Sequence, residues 1–294
     1  MNNEIWPNFF IVGTGRGGTS SLYHYLSQHP DIFMSPIKEP YFFCQELISD
    51  ITTGNFVLDK DKYLELFNDI SGRRVVGEAS AAYLDFPPTA GRIKTSVPDA
   101  KIIIMLRNPS ERAFSEYLAN VTLGYEKRTF NQTVTDEIKE IRNEPTNAYN
   151  SVSRGLYYNH VKRYQDLFGN KNVKVIIFED FIKNTQLILE EVLEFLGINK
   201  KIEFELEPKN QYRIPKGGIA ELLFADSKIR KIIKKSIPVN MRIRFGEKYL
   251  LKKEIRPTID LETKKILDDI YSEDINKLSN LLNRELKWKP FQKD

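Results

Sequence analysis

A short, wholly apolar run passes straight into a turn holding four glycines, and this junction, FFIVGTGRGGTSSLYHYL at residues 9–26, constrains the fold more than any other stretch. Phe9, Phe10, Ile11 and Val12 suit a parallel strand covered on both faces. Gly13, Gly15, Gly17 and Gly18 let the backbone reach φ > 0 and approach a ligand closely. Thr19 and Ser20 then open a helix whose free N–H groups and dipole favour an anion. Together these features describe an anion cradle, expected to hold a phosphate, with one fixed cation, Arg16.

Three patterns compete for this turn. The Walker A pattern puts Lys directly after its last glycine, and counting from Gly13 to Gly18 that place holds Thr19. A kinase or NTPase would therefore lack its phosphate-gripping lysine. Gly13, Gly15 and Gly18 also satisfy G-x-G-x-x-G, but the dinucleotide-binding pattern wants an acid about 20 residues on, at the end of a second strand. That region is HPDIFMSPIKEP, residues 29–40, with three prolines and no predicted strand. What remains is a basic residue ahead of Gly-Gly-Thr-Ser: Arg16, Gly17, Gly18, Thr19 and Ser20.

The 294 residues, 41% of them hydrophobic, suffice for one large domain with a sizeable core. Strands are expected at residues 74–77, leading into Glu78, Ala79 and Ser80, at 101–106 (KIIIML) and at 173–178. Helices are expected from Thr19 to about Gln28, around 63–68, over 110–122 and over 156–168. Two more follow the face Leu189, Val192, Leu193, Leu196, closed by Gly197, and the face Leu267, Ile270, Tyr271, Leu278, Leu281, Leu282. Residues 29–40 read as a loop over the nucleotide site, and 199–217 as a second loop. Residues 124–153 read as an acceptor-side insertion with Val134, Ile138 and Ile141 on one face of a peripheral helix, and 218–294 as a helical C-terminal part packed on the body. Strands alternating with helices argue for a parallel sheet. The expected fold class is α/β, a P-loop-like three-layer fold with a central parallel sheet flanked by helices, in a single domain over 1–294.

No apolar run approaches bilayer-spanning length, and the N-terminus MNNEIWPNFF lacks a basic segment followed by an apolar signal core, so a cytoplasmic location is expected. The single cysteine, Cys44, excludes an intrachain disulfide framework and a cysteine-rich zinc site. Across residues 228–256, eleven Lys or Arg face two acids, a net +9 that leaves −5 for the rest of a chain totalling +4. Such a segment suits an anionic acceptor, a membrane surface or nucleic acid, or is simply a solvated basic helix. Weak membrane-surface association is carried forward as an expectation; nucleic acid is not.

A second motif stands apart from the first. KIIIML runs directly into RNPSERAFSEY, placing Arg107 at a strand's carboxyl end and Ser115 two turns into the following helix. Ligands of open α/β sheets gather at those ends, so Arg107 and the glycine turn should face one crevice. Arg107, Pro109, Arg112, Ser115 and Tyr117 resemble the Arg-x-Pro-x-x-Arg and Ser-x-x-Tyr elements of sulfotransferases that use 3′-phosphoadenosine 5′-phosphosulfate (PAPS). The glycine turn resembles their 5′-phosphosulfate loop, HPDIFMSPIKEPYFF their loop after the first helix, VVGEASAAYL their Gly-Glu-x-Ser/Thr segment, and SRGLYYNHVKRY their Gly-x-Tyr helix start.

The resemblance implies a set of roles. Arg16, Gly17, Gly18, Thr19 and Ser20 would bind the 5′-phosphosulfate, and Arg107 with Ser115 the 3′-phosphate. Glu39 matches the general base of the heparan-type members, and Glu78 is an alternative base or a structural cap. NQYRIPK is similar to a late loop closing over the nucleotide, with Lys216 ranked above Arg213. PAPS would be the donor, adenosine 3′,5′-bisphosphate (PAP) the product, and no metal is expected. His24, His29 and His160 have no metal-site spacing, and Glu179 and Asp180, which mimic a Walker B pair, are expected to be loop and helix-start residues. Two departures stand out: Arg16 replaces the commoner Lys, keeping charge and bidentate phosphate binding without proton shuttling, and Ala79 stands where heparan-type enzymes usually carry Lys. The acceptor, a sugar hydroxyl, amino sugar, lipid or small alcohol, stays open, as does the oligomeric state. A P-loop kinase or NTPase and a non-catalytic nucleotide- or glycan-binding relative are the competing classes.

Overall fold

The structure, a computed structural model, describes residues 4–49, 56–144, 149–206, 213–215, 251–253 and 255–288. Their elements run β1 (Phe9–Gly13), α1 (Thr19–Leu26), β2 (Ile32–Met34), α2 (Lys60–Glu65), β3 (Val75–Ala79), α3 (Pro87–Ser96), β4 (Lys101–Leu106) and α4 (Pro109–Thr122). There follow α5 (Phe130–Asn143), α6 (Tyr157–Phe168), β5 (Val173–Ile177), α7 (Phe178–Lys183), α8 (Thr185–Leu196), β6 (Arg213–Pro215), β7 (Leu251–Lys253) and α9 (Leu261–Leu281). β1 to β5 form one parallel sheet in the order β2-β3-β1-β4-β5.

Alternation along the central strands builds the three layers. Phe10 and Val12 of β1 pack with Ile102, Ile104, Tyr157 and Tyr164 on one face. Phe9 and Ile11 pack with Ile103, Met105, Leu189 and Val192 on the other. A strand apolar at every position is what a sheet with a hydrophobic layer on each side requires. With β1 and β4 adjacent, the turn after one and Arg107 after the other open at the same edge of the sheet.

Several expectations change. The region 29–40, read as strand-free, contains β2, which pairs with β3 at the sheet edge through Ile32↔Val75 and Met34↔Gly77. Three residues are too few to signal a strand among three prolines, and an edge position tolerates them. α2 starts at Lys60 because the Asp59 side chain caps it, accepting from the Lys62 N–H. The expected loop 199–217 contains β6, which pairs antiparallel with β7 inside the basic segment. The rest of that segment up to residue 250, and the tail beyond Trp288, lie outside the described residues.

The segment expected as an acceptor-side insertion supplies α5, opened by a capping box between Thr129 and Gln132. Phe130, Val134 and Ile138 are buried with Ala113 and Phe114 of α4 and Leu267 and Tyr271 of α9, in a cluster separate from the two layers on the sheet. α9 is capped by Asp260 and packs on α6, α5 and α4. No helix among the described residues is long and apolar enough to cross a membrane.

Candidate active site

The turn between β1 and α1 is pinned from beneath and open above. Thr14 N donates to Met105 O of β4 at 2.6 Å, and Gly17 N to Thr14 O at 2.9 Å. Gly18 has φ 94, the left-handed conformation that glycine adopts freely, and so swings the chain into the first turn of α1. Among the described residues, the N–H groups of Gly15, Arg16, Gly18, Thr19 and Ser20 meet no acceptor, and the buried Thr14 Oγ1 has no partner. Orphan donors at a helix N-terminus, plus an orphan hydroxyl, fit an anion.

The turn after β4 adds side chains. Asn108 caps α4 by accepting from Glu111 N at 3.1 Å, with Pro109 at the position where a missing N–H does least harm. Arg107 Nη1 donates to Arg16 O at 3.2 Å, and its guanidinium lies 5.0 Å from the centre of the Phe178 ring. Arg16 Nε donates to Ser115 Oγ at 3.3 Å. Arg16, Arg107 and Ser115, distant in sequence, thus meet at one edge of the sheet. The Arg107 guanidinium is pulled below its ordinary value by burial and then by the neighbouring charge of Arg256. Crowded cations of this kind favour a bound anion.

Arg256 escaped the sequence reading, which counted it only within a charge total. Its Nη1 donates to Glu111 Oε2 at 2.8 Å, its guanidinium lies 5.3 Å from the Phe114 ring centre, and Glu111 also faces Arg107 at 3.8 Å. The only local signal was an acid four residues after Arg107.

Of the other motif residues, Arg112 is fully buried, bound to Glu116 Oε2 at 2.6 Å and to Ser151 O, and acts as a structural anchor. Tyr117 donates to Arg128 O at 3.0 Å. Glu179 accepts from Asn108 N and from Trp288 Nε1, both at 3.0 Å, and so braces the β4–α4 turn. Lys216 lies outside the described residues; Arg213 falls in β6, and its side chain also lies outside them. His29 contacts Lys200 O, and His160 is buried, its imidazole pushed down to about 4 by burial.

Two carboxylates lie near the crevice. Glu39 has φ 62 and donates its backbone N–H to Ala79 O at 2.8 Å, which stitches its loop to the end of β3. Its carboxylate binds Lys38 Nζ at 2.5 Å and accepts from Tyr41 OH at 3.0 Å, and it stays partly exposed. Glu78 is fully buried. It accepts from Ser80 Oγ at 2.6 Å, Tyr63 OH at 2.8 Å and Tyr83 OH at 3.2 Å, and burial pushes its carboxyl up to about 7 against those donors.

A parallel sheet between helix layers, with a glycine turn leading from its central strand into a helix N-terminus, defines the P-loop-like class of α/β folds. Residues 7–277 match the family model described as the sulfotransferase domain, and the chain belongs to that family. A crystal structure of a sulfotransferase from Alicyclobacillus acidocaldarius is 33% identical, with a TM-score of 0.69 over 97% of this chain and 99% of that one. The human bifunctional heparan sulfate N-deacetylase/N-sulfotransferase 1 is 25% identical over 95% of this chain and 30% of its own length. Mouse sulfotransferase SULT7A1, crystallised with PAP, shares the fold at 16% identity and a TM-score of 0.51, over 94% of this chain and 88% of that one. The chain spans less than half the length of the curated relatives it matches.

Proposed function

We propose that this protein transfers a sulfuryl group from PAPS to a hydroxyl or amine of an acceptor, with Glu39 as the base. The convergence of Arg16, Arg107 and Ser115 beside the unpartnered N–H groups of the glycine turn carries this reading. It offers two anion sites at neighbouring strand ends, which is what a nucleotide bearing phosphates at both 3′ and 5′ positions needs. Thr19, in the place of the Walker lysine, speaks against ATP chemistry. Arg213 and Lys216 stay assigned, by resemblance alone, to a loop over the nucleotide.

Bound PAPS supplies a sulfuryl group whose S–O bond to the 5′-phosphate breaks as a bond from sulfur to the acceptor oxygen or nitrogen forms. Glu39 takes the acceptor proton onto a carboxylate oxygen, a role worth on the order of 10²- to 10⁴-fold in rate. Arg16, with Gly17, Gly18, Thr19 and Ser20, holds the 5′ end and stabilises the charge that grows on the departing phosphate. Arg107, Ser115 and Arg256 hold the 3′-phosphate. A carbohydrate acceptor is favoured by the likeness to the heparan sulfate enzyme over 95% of this chain; a lipid or small alcohol is the alternative.

Calorimetry with PAP, AMP and ATP plus Mg²⁺ tests the assignment. PAP is expected to bind about 10- to 100-fold tighter than AMP, since charge-assisted contacts contribute roughly 1.5–3 kcal/mol. Arg107→Ala should erase most of that gap. Equal affinity for PAP and AMP, or a preference for ATP with Mg²⁺, would overturn the assignment, and sulfation of candidate acceptors from PAPS, followed by mass spectrometry, checks turnover.

A further inference from the structure

Beside the glycine turn stands a further guanidinium, Arg154, which lies within SRGLYYNHVKRY but is neither the glycine nor the tyrosine of that Gly-x-Tyr helix start. Arg154 lies in the 3₁₀ turn Ser153–Gly155 ahead of α6. Two carboxylates grip it: Nε binds Asp85, and Nη1 binds Glu116 Oε1 at 2.7 Å. The other oxygen of Glu116 holds the buried Arg112 at 2.6 Å, so one carboxylate orients two guanidinia. Burial alone would raise the Glu116 carboxyl, yet Arg154 and Arg112 outweigh it and hold it down at about 2. Glu116 is therefore ionised at any working pH, and the plane of Arg154, 5.3 Å from the Tyr149 ring centre, is held by Asp85, Glu116 and Tyr149 from three separate segments.

The edge left over points at the turn. A Cβ placed on Gly15, the residue before Arg16, would lie 3.0 Å from Arg154 Nη2. Nη2 has no acceptor among the described residues, whereas Nε and Nη1 are both bound. Arg154 therefore reaches the turn that would hold the donor's 5′ end. An in-line transfer puts the sulfur next to that 5′ end, on the line from the departing phosphate oxygen to the acceptor.

We propose that Arg154 Nη2 donates to a non-bridging oxygen of the transferring sulfuryl group, a fixed contact additional to Arg16. Its charge is matched by Asp85 and Glu116, so it offers an oriented donor more than a free cation. Such a donor needs no reorganisation when charge shifts during transfer. Arg154 takes no proton and forms no covalent bond. This assignment rests on the PAPS reading.

PAP lacks the sulfuryl group, which makes the test direct. Arg154→Lys keeps a cation between the two carboxylates but cannot present the same fork. It is expected to leave PAP affinity in calorimetry within about twofold and to lower kcat by roughly 10- to 100-fold, with the larger share of the loss in kcat, not KM. Arg154→Gln is the second variant: it removes the Nη2 donor and its charge while leaving the glycine turn itself unaltered and Glu116 still paired with Arg112, and the same split between PAP binding and kcat is expected. Equal losses of PAP affinity and kcat in both variants would make Arg154 a mere support of the turn. A raised KM for the acceptor with kcat intact would make it an acceptor contact, and unchanged kcat in a folded Arg154→Lys protein would remove it from the reaction. Each of those results overturns this proposal while leaving PAP binding by the wild type, and with it the PAPS reading, in place. A wild-type protein that bound no PAP would take down both.

Discussion

Glu39 and Glu78 belong to the same corner of the sheet, joined through the hydrogen bond from Glu39 N to Ala79 O, and yet they are different chemical objects. Glu78 sits inside β3, where alternation sends its side chain to the face occupied by Tyr63 and Tyr83. Fully buried and bound by three hydroxyls, it titrates near 7, the value usually sought in a general base. It nevertheless has no surface on which an acceptor proton could arrive. Glu39, one residue before Pro40 and with φ 62, keeps part of its side chain exposed. The contrast teaches that a perturbed titration marks an active group only where the group can be reached.

Three variants sharpen or break this contrast. The largest effect is expected for Glu39→Gln, which keeps shape and removes the proposed base: kcat should fall about 10²- to 10⁴-fold with PAP affinity nearly unchanged. A fully active Glu39→Gln beside an inactive Glu78→Gln would reverse the two roles.

Glu78 should show itself in stability instead. Its carboxyl is raised in the folded protein from the ordinary 4.5 to about 7, so folding takes up a proton between those values. The stabilisation is complete below about pH 4.5 and is lost as pH rises through 7, a change on the order of 3 kcal/mol. In urea denaturation, the stability gap between wild type and Glu78→Gln should shift in the variant's favour by that order between pH 5 and pH 8. The difference isolates Glu78 from Asp274, raised by burial to about 6 with the same sign, and from His160, which acts in the opposite sense. A gap independent of pH would show that Glu78 does not titrate in this window.

The smallest effect belongs to Tyr41→Phe, which deletes the hydroxyl that donates to Glu39. Loss of one such contact is worth about 1 kcal/mol, so kcat should fall roughly fivefold. A loss as large as that of Glu39→Gln would mean that Tyr41, not Glu39, handles the proton.

What the sequence disclosed was local. A buried strand feeding a glycine turn, and another feeding Arg107, are written in consecutive residues, so the sheet centre and the meeting of Arg16 with Arg107 could be anticipated. β2 could not, because three residues carry too little pattern. The pairings of Arg256 and Arg154 could not be read for another reason: their partners Glu111, Asp85 and Glu116 lie 145, 69 and 38 residues away, and only packing brings them together. The burial of Glu78 likewise depends on Tyr63 and Tyr83, which no spacing rule connects to it. Chain order reveals which groups exist at strand ends, whereas tertiary contacts decide which of them stay accessible.

Arg16 is bonded at both ends to the neighbouring strand's motif: its backbone oxygen accepts from Arg107, and its side chain donates to Ser115. In the proposed reading, the two anion sites are therefore not independent pockets but the jaws of one caliper, its opening set by two hydrogen bonds. Such a caliper gauges the distance between phosphates and is indifferent to their number, so a triphosphate chain, however highly charged, arrives at the wrong span.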